Sequence, residues 1–413
     1  MVSSLPLDST KSLQPKLAVA QSYREKLDYD RAHHSMNCSG LKVAVIGGGV
    51  AGLAAALAFA RRDAQVTVYE RSQALKALGA GLQLSLNGQI VLRALGVDGN
   101  LVTFCSSGTQ IVDGQAGREI ARIPGSRSGL TWYVHRADLI SSLFDASVAA
   151  GVSVHCNQEI LPSAKSSRDL DADLIIAADG EHSKWRDSVE EPIAATFSGQ
   201  VIWRALASHE GVANPLEPAT LTLGSGWHTV TYPLRDGKLM NIVAVEERKN
   251  WRDGCWQQLG EVAEFRQKFA QAKGIAAKLI ASAEEVHVWA LHLRGVASRW
   301  SLNRTVLVGD AAHPMLPFVA QGACMALEDA WILADAVAQA HTPKEGLREF
   351  EERRRSRVTR VCNLSRRNGR LFHLPRPWSW GLAAALRTSQ HMIAQQLEWV
   401  YRYDATQTAP KYR

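Results

Sequence analysis

Glycines, carboxylates and one histidine–tyrosine pair carry the chemistry that can be read in this chain. Gly47, Gly49 and Gly52 stand in the spacing G-x-G-x-x-G, between an apolar run at 43–46 and an alanine-rich helical stretch. Gly47 permits a sharp turn, Gly49 lets the backbone approach a pyrophosphate, and Gly52 lets the following helix pack close to the strand. Unpaired N–H groups at the helix start, and the positive end of its dipole, favour phosphate there. The stretch 65–69 reads as a second strand ending in Glu70, eighteen residues beyond Gly52. A carboxylate at that place suits the two hydroxyls of an adenosine ribose and repels a 2′-phosphate. The glycines alone allow a purely structural βαβ turn; strand, turn, helix, second strand and acid together point to a bound dinucleotide.

Two further acids sit at strand ends. Asp179-Gly180 closes the apolar run 174–178, and Gly309-Asp310 closes 305–308. In isolation an Asp-Gly pair marks a turn. At the end of a short buried strand, it lies where an open parallel sheet presents its ligand-binding edge. The three strand ends meet on one ligand only if the dinucleotide-binding domain is assembled from separated pieces, expected at 41–115, 130–198 and 296–370.

Between the pieces, strand-like patches at 200–206, 220–223, 228–232 and 240–245 are separated by turn signals such as Gly224-Ser-Gly226. They predict an antiparallel sheet within an inserted substrate domain at 199–295, the lid or floor of a cavity. His228 and Tyr232 are four residues apart on one of these strands and therefore share a face. A histidine there can relay a substrate proton, and the tyrosine hydroxyl can orient a phenolate or carboxylate. The other reading is two half-buried sheet residues with satisfied hydrogen bonds. Arg204 can bind a carboxylate, although surface or interdomain ion pairing is the preferred reading. The expected fold is mixed α/β: a Rossmann-like domain of separated segments, the inserted sheet domain, and a C-terminal helical segment at 371–413.

Composition narrows the function classes. Hydrophobic residues make up 46% and charged residues 21% of the 413, as in an ordinary globular enzyme rather than a disordered or fibrous chain. The cysteines at 38, 105, 156, 255, 324 and 362 form no C-x-x-C pair and no metal-ligand spacing, which predicts no metal and a reducing, cytoplasmic setting. No apolar run approaches the roughly 18–20 residues that span a bilayer. Net charge is +7, and much of it lies in Arg353-Arg-Arg-Ser-Arg357 and Arg366-Arg367. Val358, Val361 and Leu364 interleave these arginines at helical spacing, predicting a helix with a solvated basic face. No aromatic-interleaved basic module suggests a nucleic-acid partner, and a homodimer is compatible with the chain. Residues 1–40 lack the apolar centre of a signal peptide, and Asp8, Glu25, Asp28 and Asp30 argue against a transit peptide. This arm is expected to be a poorly ordered extension, with Met36 as an alternative start.

The order of glycine turn, Asp179-Gly180 and Gly309-Asp310 resembles the single-component flavin-dependent aromatic hydroxylases, the group containing p-hydroxybenzoate and salicylate hydroxylases. The resemblance covers nearly everything after residue 40. It implies that the segment 79–87, with Gly81, passes beside the isoalloxazine of FAD, and that Arg136 reaches the FAD from a helix start. The segment 178–186, Ala-Asp-Gly-Glu-His-Ser-Lys-Trp-Arg, is similar to a motif linked to both FAD and the nicotinamide cofactor. The segment 309–330 resembles the salicylate and 6-hydroxynicotinate hydroxylase branch. By that likeness Asp310 accepts a hydrogen bond from a ribityl hydroxyl, Gly322 opens a helix facing the flavin pyrimidine ring, and Pro317 sits above the reacting edge. Arg71, beside Glu70, is counted with the same cofactor-binding set. His313, next to Pro314, is assigned a structural role, with direct catalysis as the alternative. The pattern H-x-x-x-Y-P at 228–233 and the tail segments 365–369 and 399–404 resemble the same branch. Leu86 departs from it, since many relatives carry proline before the asparagine.

The resemblance implies a mechanism in which the flavin carries the hard chemistry. Reduced nicotinamide, NADH or NADPH, delivers hydride to FAD; oxygen then forms a C4a-hydroperoxide, whose terminal oxygen transfers to an electron-rich ring. The absence of a second glycine fingerprint suits transient nicotinamide docking, and the lack of a readable 2′-phosphate clamp favours NADH. The expected substrates are O2 and a small aromatic or N-heteroaromatic acid. The alternatives are a flavin-dependent oxidoreductase without oxygen insertion and a non-catalytic flavin-binding protein.

Overall fold

The computed structural model describes residues 37–75, 81–125, 130–163, 170–208, 218–235, 237–251 and 258–407. Met36, Gly79, Ala80 and Cys255 lie outside the described residues, as does the arm before Asn37. The expected arm reached residue 40, but the folded chain begins earlier. Cys38 is buried, and its N–H donates to the Arg62 carbonyl at 2.6 Å.

The apolar runs singled out in the sequence lie side by side as strands. In the six-stranded sheet, Thr305–Leu307, Leu174–Ala177, Lys42–Ile46, Gln65–Tyr69 and Ser153–His155 run parallel, and Ser301–Leu302 adds an antiparallel edge. A parallel sheet is covered on both faces and so selects continuous apolar runs; all four residues of Leu174–Ala177 are buried. Helix Val50–Ala60, buried along most of its length, packs against it. Register brings the strand ends together. Ile46 pairs with Ala177, and Ala177 with Leu307. The turns after these three residues therefore emerge at one sheet edge, although up to 261 residues separate them in sequence.

The second sheet has eight strands, ordered Leu259–Gly260, Val286–Leu293, Thr196–Ser208, Leu239–Glu247, Trp227–Leu234, Ala219–Gly224, Gly108–Asp113 and Glu119–Pro124. It is antiparallel except where Ala219–Gly224 meets Gly108–Asp113. The sequence boundary at 115 thus falls just past a strand that belongs to this sheet. Without Gly108–Asp113, the edge of Ala219–Gly224 would expose unpaired backbone groups. A three-stranded sheet, Gly81–Leu84, Thr131–His135 and Thr103–Ser106, packs on the larger one through Phe104, Tyr133 and Tyr232.

Two long helices brace the cavity wall. Gly322–Gln339 is buried almost throughout. Pro343–Leu371 starts with proline in its first turn and Thr342 accepting from the Glu345 N–H at 3.3 Å, a strong start signal. The expectation of a solvated basic face fails for part of this helix. Arg354 has no exposed side-chain surface and bonds both Glu328 and Asp329, the latter at 2.7 Å. Arg357 donates to Glu328 and to the carbonyls of Trp399 and Val400. Arginine suits such burial because its planar fork satisfies carboxylates and carbonyls at fixed geometry. Glu328 also accepts from Asn87 at 2.7 Å, and Asp329 accepts the Gly309 N–H at 2.9 Å. Breaking a buried ion pair from one side strands the remaining charge. Arg354→Met should therefore lower unfolding stability by about 3–5 kcal/mol in urea titrations. Arg348→Ala, which removes a pair in which Arg348 is 79% exposed, should change it by less than about 1 kcal/mol. Equal losses in the two variants would refute the bracing role.

Candidate active site

One cavity of about 1090 Å³ opens at the edge where the three strand ends meet. That is slightly above the range of about 300–1,000 Å³ for small-ligand pockets. At one end Gly49, Val50 and Ala51 line it, at the start of helix Val50–Ala60. A Cβ on Gly49 would meet nothing within 4 Å, whereas one on Gly47 would lie 2.5 Å from the Ala178 carbonyl oxygen, and Gly47 has φ +106°. A Cβ on Gly52 would lie 1.9 Å from the Gly47 carbonyl oxygen, so helix and turn are pressed together. Gly47 and Gly52 shape the turn, and Gly49 leaves its face open. Glu70 is oriented by the Gly48 and Ser72 N–H groups, at 2.7 and 2.8 Å. It stands beside the turn rather than on the cavity lining, and its neighbour Arg71 is exposed.

The opposite wall is the start of helix Gly322–Gln339. Ala320, Gln321 and Gly322 line the cavity, no acid occupies the first turn, and a Cβ on Gly322 would meet open space. The first N–H groups of a helix lack intrahelical partners, so a positive dipole end faces the cavity. Gln321 is held in place by accepting from Asn87 at 2.9 Å and donating to Ser85 at 2.8 Å.

Between these walls lie Asp310, Arg136 and Gly180. Gly309, at φ +59°, turns the chain so that Asp310 opens into the cavity. Solvent reaches this side chain through the cavity, yet protein surrounds it. Burial raises its pKa, while His313 and Arg136 pull it back. Arg136 begins helix Arg136–Ala149; desolvation lowers its pKa, opposed by Asp310. His313 is wholly buried, 2.5 Å from Asp329 and away from the cavity lining, which is a structural position. Burial pushes the Asp329 carboxyl up, but His313, Arg354 and the Gly309 N–H outweigh it and hold it below its ordinary value. Asp179 is spent inside its own turn, accepting from Ser183 at 2.6 Å and from the Lys184 and Trp185 N–H groups. Gly180, at φ +84°, is what that turn presents to the cavity. Arg186 faces away and binds Glu190 at 2.5 Å and the Gly295 carbonyl at 2.8 Å.

The far end of the cavity is built on Trp227–Leu234. His228, Val230 and Tyr232 line it, as the two-residue period of a strand requires. Tyr232 is buried, its ring 4.7 Å from that of Tyr133 and pressed against Gly81. Burial raises the Tyr232 hydroxyl pKa strongly, with Arg204 and Asn241 moderating the shift. Desolvation, reinforced by His373, holds the His228 imidazole well below its ordinary pKa and therefore neutral. Pro317 and Phe318 line the stretch between Asp310 and His228.

Arg204 corrects the sequence reading. It projects into the cavity from Thr196–Ser208, its Nε has no hydrogen-bond partner, and it makes no ion pair among the described residues. The Trp289 ring lies 5.7 Å from its guanidinium carbon. Alternation along a strand says that Arg204 and its neighbours point opposite ways, but not which side faces a cavity. His373 and Asn241 also escaped notice. Asn241 is opposite Tyr232 in the strand register, and His373 touches His228 across 145 residues of sequence, a distance at which no spacing signal exists.

The residues present fit FAD. Open glycine faces at Gly49, Gly180 and Gly322, two helix starts without acids, and a cation–carboxylate pair at the centre suit a pyrophosphate, a ribityl chain and an electron-poor ring system. Comparison with known proteins agrees. Residues 40–365 match the family described as FAD binding domain. The 3-amino-4-hydroxybenzoate 2-monooxygenase PtmB3 of Streptomyces platensis is 34% identical over 88% of this chain and 96% of its own. The 6-hydroxynicotinate 3-monooxygenase of Bordetella bronchiseptica is 31% identical over 82% and 94%. A solved salicylate hydroxylase substrate complex superposes with a TM-score of 0.74, at 25% identity, over 89% of this chain and 96% of that one.

Gly49→Asp separates folding from flavin binding. Aspartate is a favourable N-cap and complements the helix dipole, so the apoprotein should melt no lower than wild type. Its charge would occupy the open face meant for phosphate, and FAD affinity by fluorescence titration should fall about 100-fold, roughly 2.7 kcal/mol. Wild-type affinity would show that the flavin does not lie against Gly49.

Proposed function

The chain belongs to the FAD-binding-domain family and is an FAD-dependent aromatic monooxygenase; we propose that it hydroxylates a small aromatic or N-heteroaromatic acid whose carboxylate docks on Arg204. The observation carrying this reading is the unpaired Arg204 guanidinium facing the cavity. Arginine stays charged, and Arg204 is half-buried with its Nε shut off from solvent and unbonded, a placement that a counter-charge stabilises. A substrate carboxylate supplies the missing counter-charge. The names of the Streptomyces and Bordetella relatives describe hydroxylated aromatic carboxylates, one a benzoate and one a nicotinate.

FAD, reduced by NAD(P)H, supplies an electrophilic oxygen derived from O2. The side chains do the rest. Arg204 fixes the acid end of the ring, and the protonated Tyr232 hydroxyl donates a hydrogen bond to a ring oxygen. The neutral His228 imidazole accepts the ring-hydroxyl proton, which raises electron density on the carbon to be attacked. Pro317, Phe318, Leu371 and Phe372 keep water from that carbon. The helix start at Gly322 stabilises negative charge on the opposite wall. We assign the six-stranded sheet and its helices to flavin binding and the eight-stranded sheet, including Gly108–Asp113, to the substrate. The five described cysteines are all free, which supports the cytoplasm as the enzyme's compartment.

Arg204→Gln should weaken binding of 3-amino-4-hydroxybenzoate and 6-hydroxynicotinate by about 2 kcal/mol or more, roughly 30-fold, while FAD affinity stays unchanged. Equal affinity in the variant would remove Arg204 from the substrate site. Tyr232→Phe should lower product formation more than FAD binding, as read by product yield and flavin titration; unaltered turnover would contradict its role.

A further inference from the structure

His228 faces the cavity with one ring nitrogen and another buried histidine with the other. Its Nδ1 lies 2.7 Å from His373 Nε2. His373 Nδ1 lies 3.2 Å from Glu247 Oε1; the His373 side chain is 1% exposed and that of Glu247 is 57% exposed. The three groups thus form an unbroken line from the cavity to solvent. Backbone bonds hold it together: the Gly226 N–H donates to the His373 carbonyl at 3.3 Å, and the Glu247 N–H donates to the Gly226 carbonyl at 2.9 Å. The rings of Phe318 and Phe372 flank His228 at 5.3 and 5.2 Å, giving the line apolar sides. Around His373 the facing polar side chains are Gln200, at 3.3 Å from Nδ1, and Glu247, which carries the charge.

We propose that His228, His373 and Glu247 are a proton relay, carrying the ring-hydroxyl proton of the bound substrate from the buried end of the cavity to solvent. The inference rests on the reading that a hydroxylated aromatic acid binds beside Arg204.

His373 Nδ1 faces two groups, the Glu247 carboxylate at 3.2 Å and the Gln200 side-chain amide at 3.3 Å, whose Nε2 also donates to the Gly369 carbonyl. In the relay Glu247, the closer and charged acceptor, takes the Nδ1 proton of His373, which then offers an Nε2 lone pair. His228 therefore donates from Nδ1 to His373 and keeps its Nε2 lone pair for the cavity. When the substrate hydroxyl gives its proton to His228 Nε2, the Nδ1 proton passes to His373 Nε2, and the His373 Nδ1 proton passes to Glu247 and on to water. Each imidazole ends neutral in its other tautomer, the substrate is left as its anion, and one proton has left the protein. Burial depresses the pKa of both histidines, so neither traps the proton as a lasting cation. Two structural hydrogen bonds alone would not require a titratable ring at both inner positions. A glutamine at 373 can accept from His228 but cannot pass a proton onward.

The test uses FAD-loaded enzyme mixed rapidly with 3-amino-4-hydroxybenzoate in weakly buffered solution containing a pH dye. Ring ionisation is followed by ultraviolet absorbance. Wild type should release a proton as the probe ionises, more slowly in D2O. His373→Gln and the surface change Glu247→Gln should each slow release about 10-fold or more, with Kd for the probe and flavin occupancy nearly unchanged. Release at the wild-type rate in either variant would overturn the relay. So would probe binding to wild type without proton release, which would leave the monooxygenase reading intact. Failure of the probe and of 6-hydroxynicotinate to bind wild type at all would overturn both.

Discussion

Arg354 lies between Glu328 and Asp329 without access to water, and its two carboxylate partners hold the cavity wall at Gln321 and Asp310 in shape. Glu328 ties Asn87 and, through it, the Gln321 side chain at the helix start. Asp329 clamps the Gly309 N–H and His313, which sets the turn that aims Asp310. Each ion in the group is desolvated, and only mutual pairing makes that burial tolerable. The consequence is a wall with little freedom to relax. Rigid support of this kind is what a site needs when its ligand must be placed to within a fraction of an ångström.

Charge inside the cavity depends on that frame. Two helix starts, Arg136 and Arg204 make the interior positive, which suits an anionic dinucleotide and an anionic ring acid together. Asp310 and Glu398 are the carboxylates on the lining, and the nearby Glu181 is pushed up to about 7 by burial and by Asp310. At the far end the polarity changes: Tyr232 is kept protonated and His228 neutral by the same loss of solvent. The cavity therefore presents cations for holding and uncharged polar groups for proton handling.

The glycine turn was legible because its constraints are local. Gly47 needs a positive φ and Gly52 needs closeness to the turn, and both demands leave a spacing in the sequence. The four strand patches between 200 and 245 were legible through alternation, which also placed His228 and Tyr232 on one face. The arginine run at 353–357 misled, since helical spacing gives the angle of Arg354 around its own helix but not the two carboxylates waiting on another. Asp179 shows a related limit: a strand-end acid looks the same whether it serves a ligand or its own turn.

Sequence alone determined the element types and the turn geometry, because these depend on residues within one strand, turn or helix of each other, and the family resemblance, because the order of its motifs along the chain is itself sequence. Only the tertiary structure decided that Ile46, Ala177 and Leu307 stand in register, that Arg204 faces a cavity without a partner, and that His373 completes a line from His228 to the surface. Those facts come from contacts across more than a hundred residues. Burial and pairing there are properties of the packed chain, and no local spacing records them.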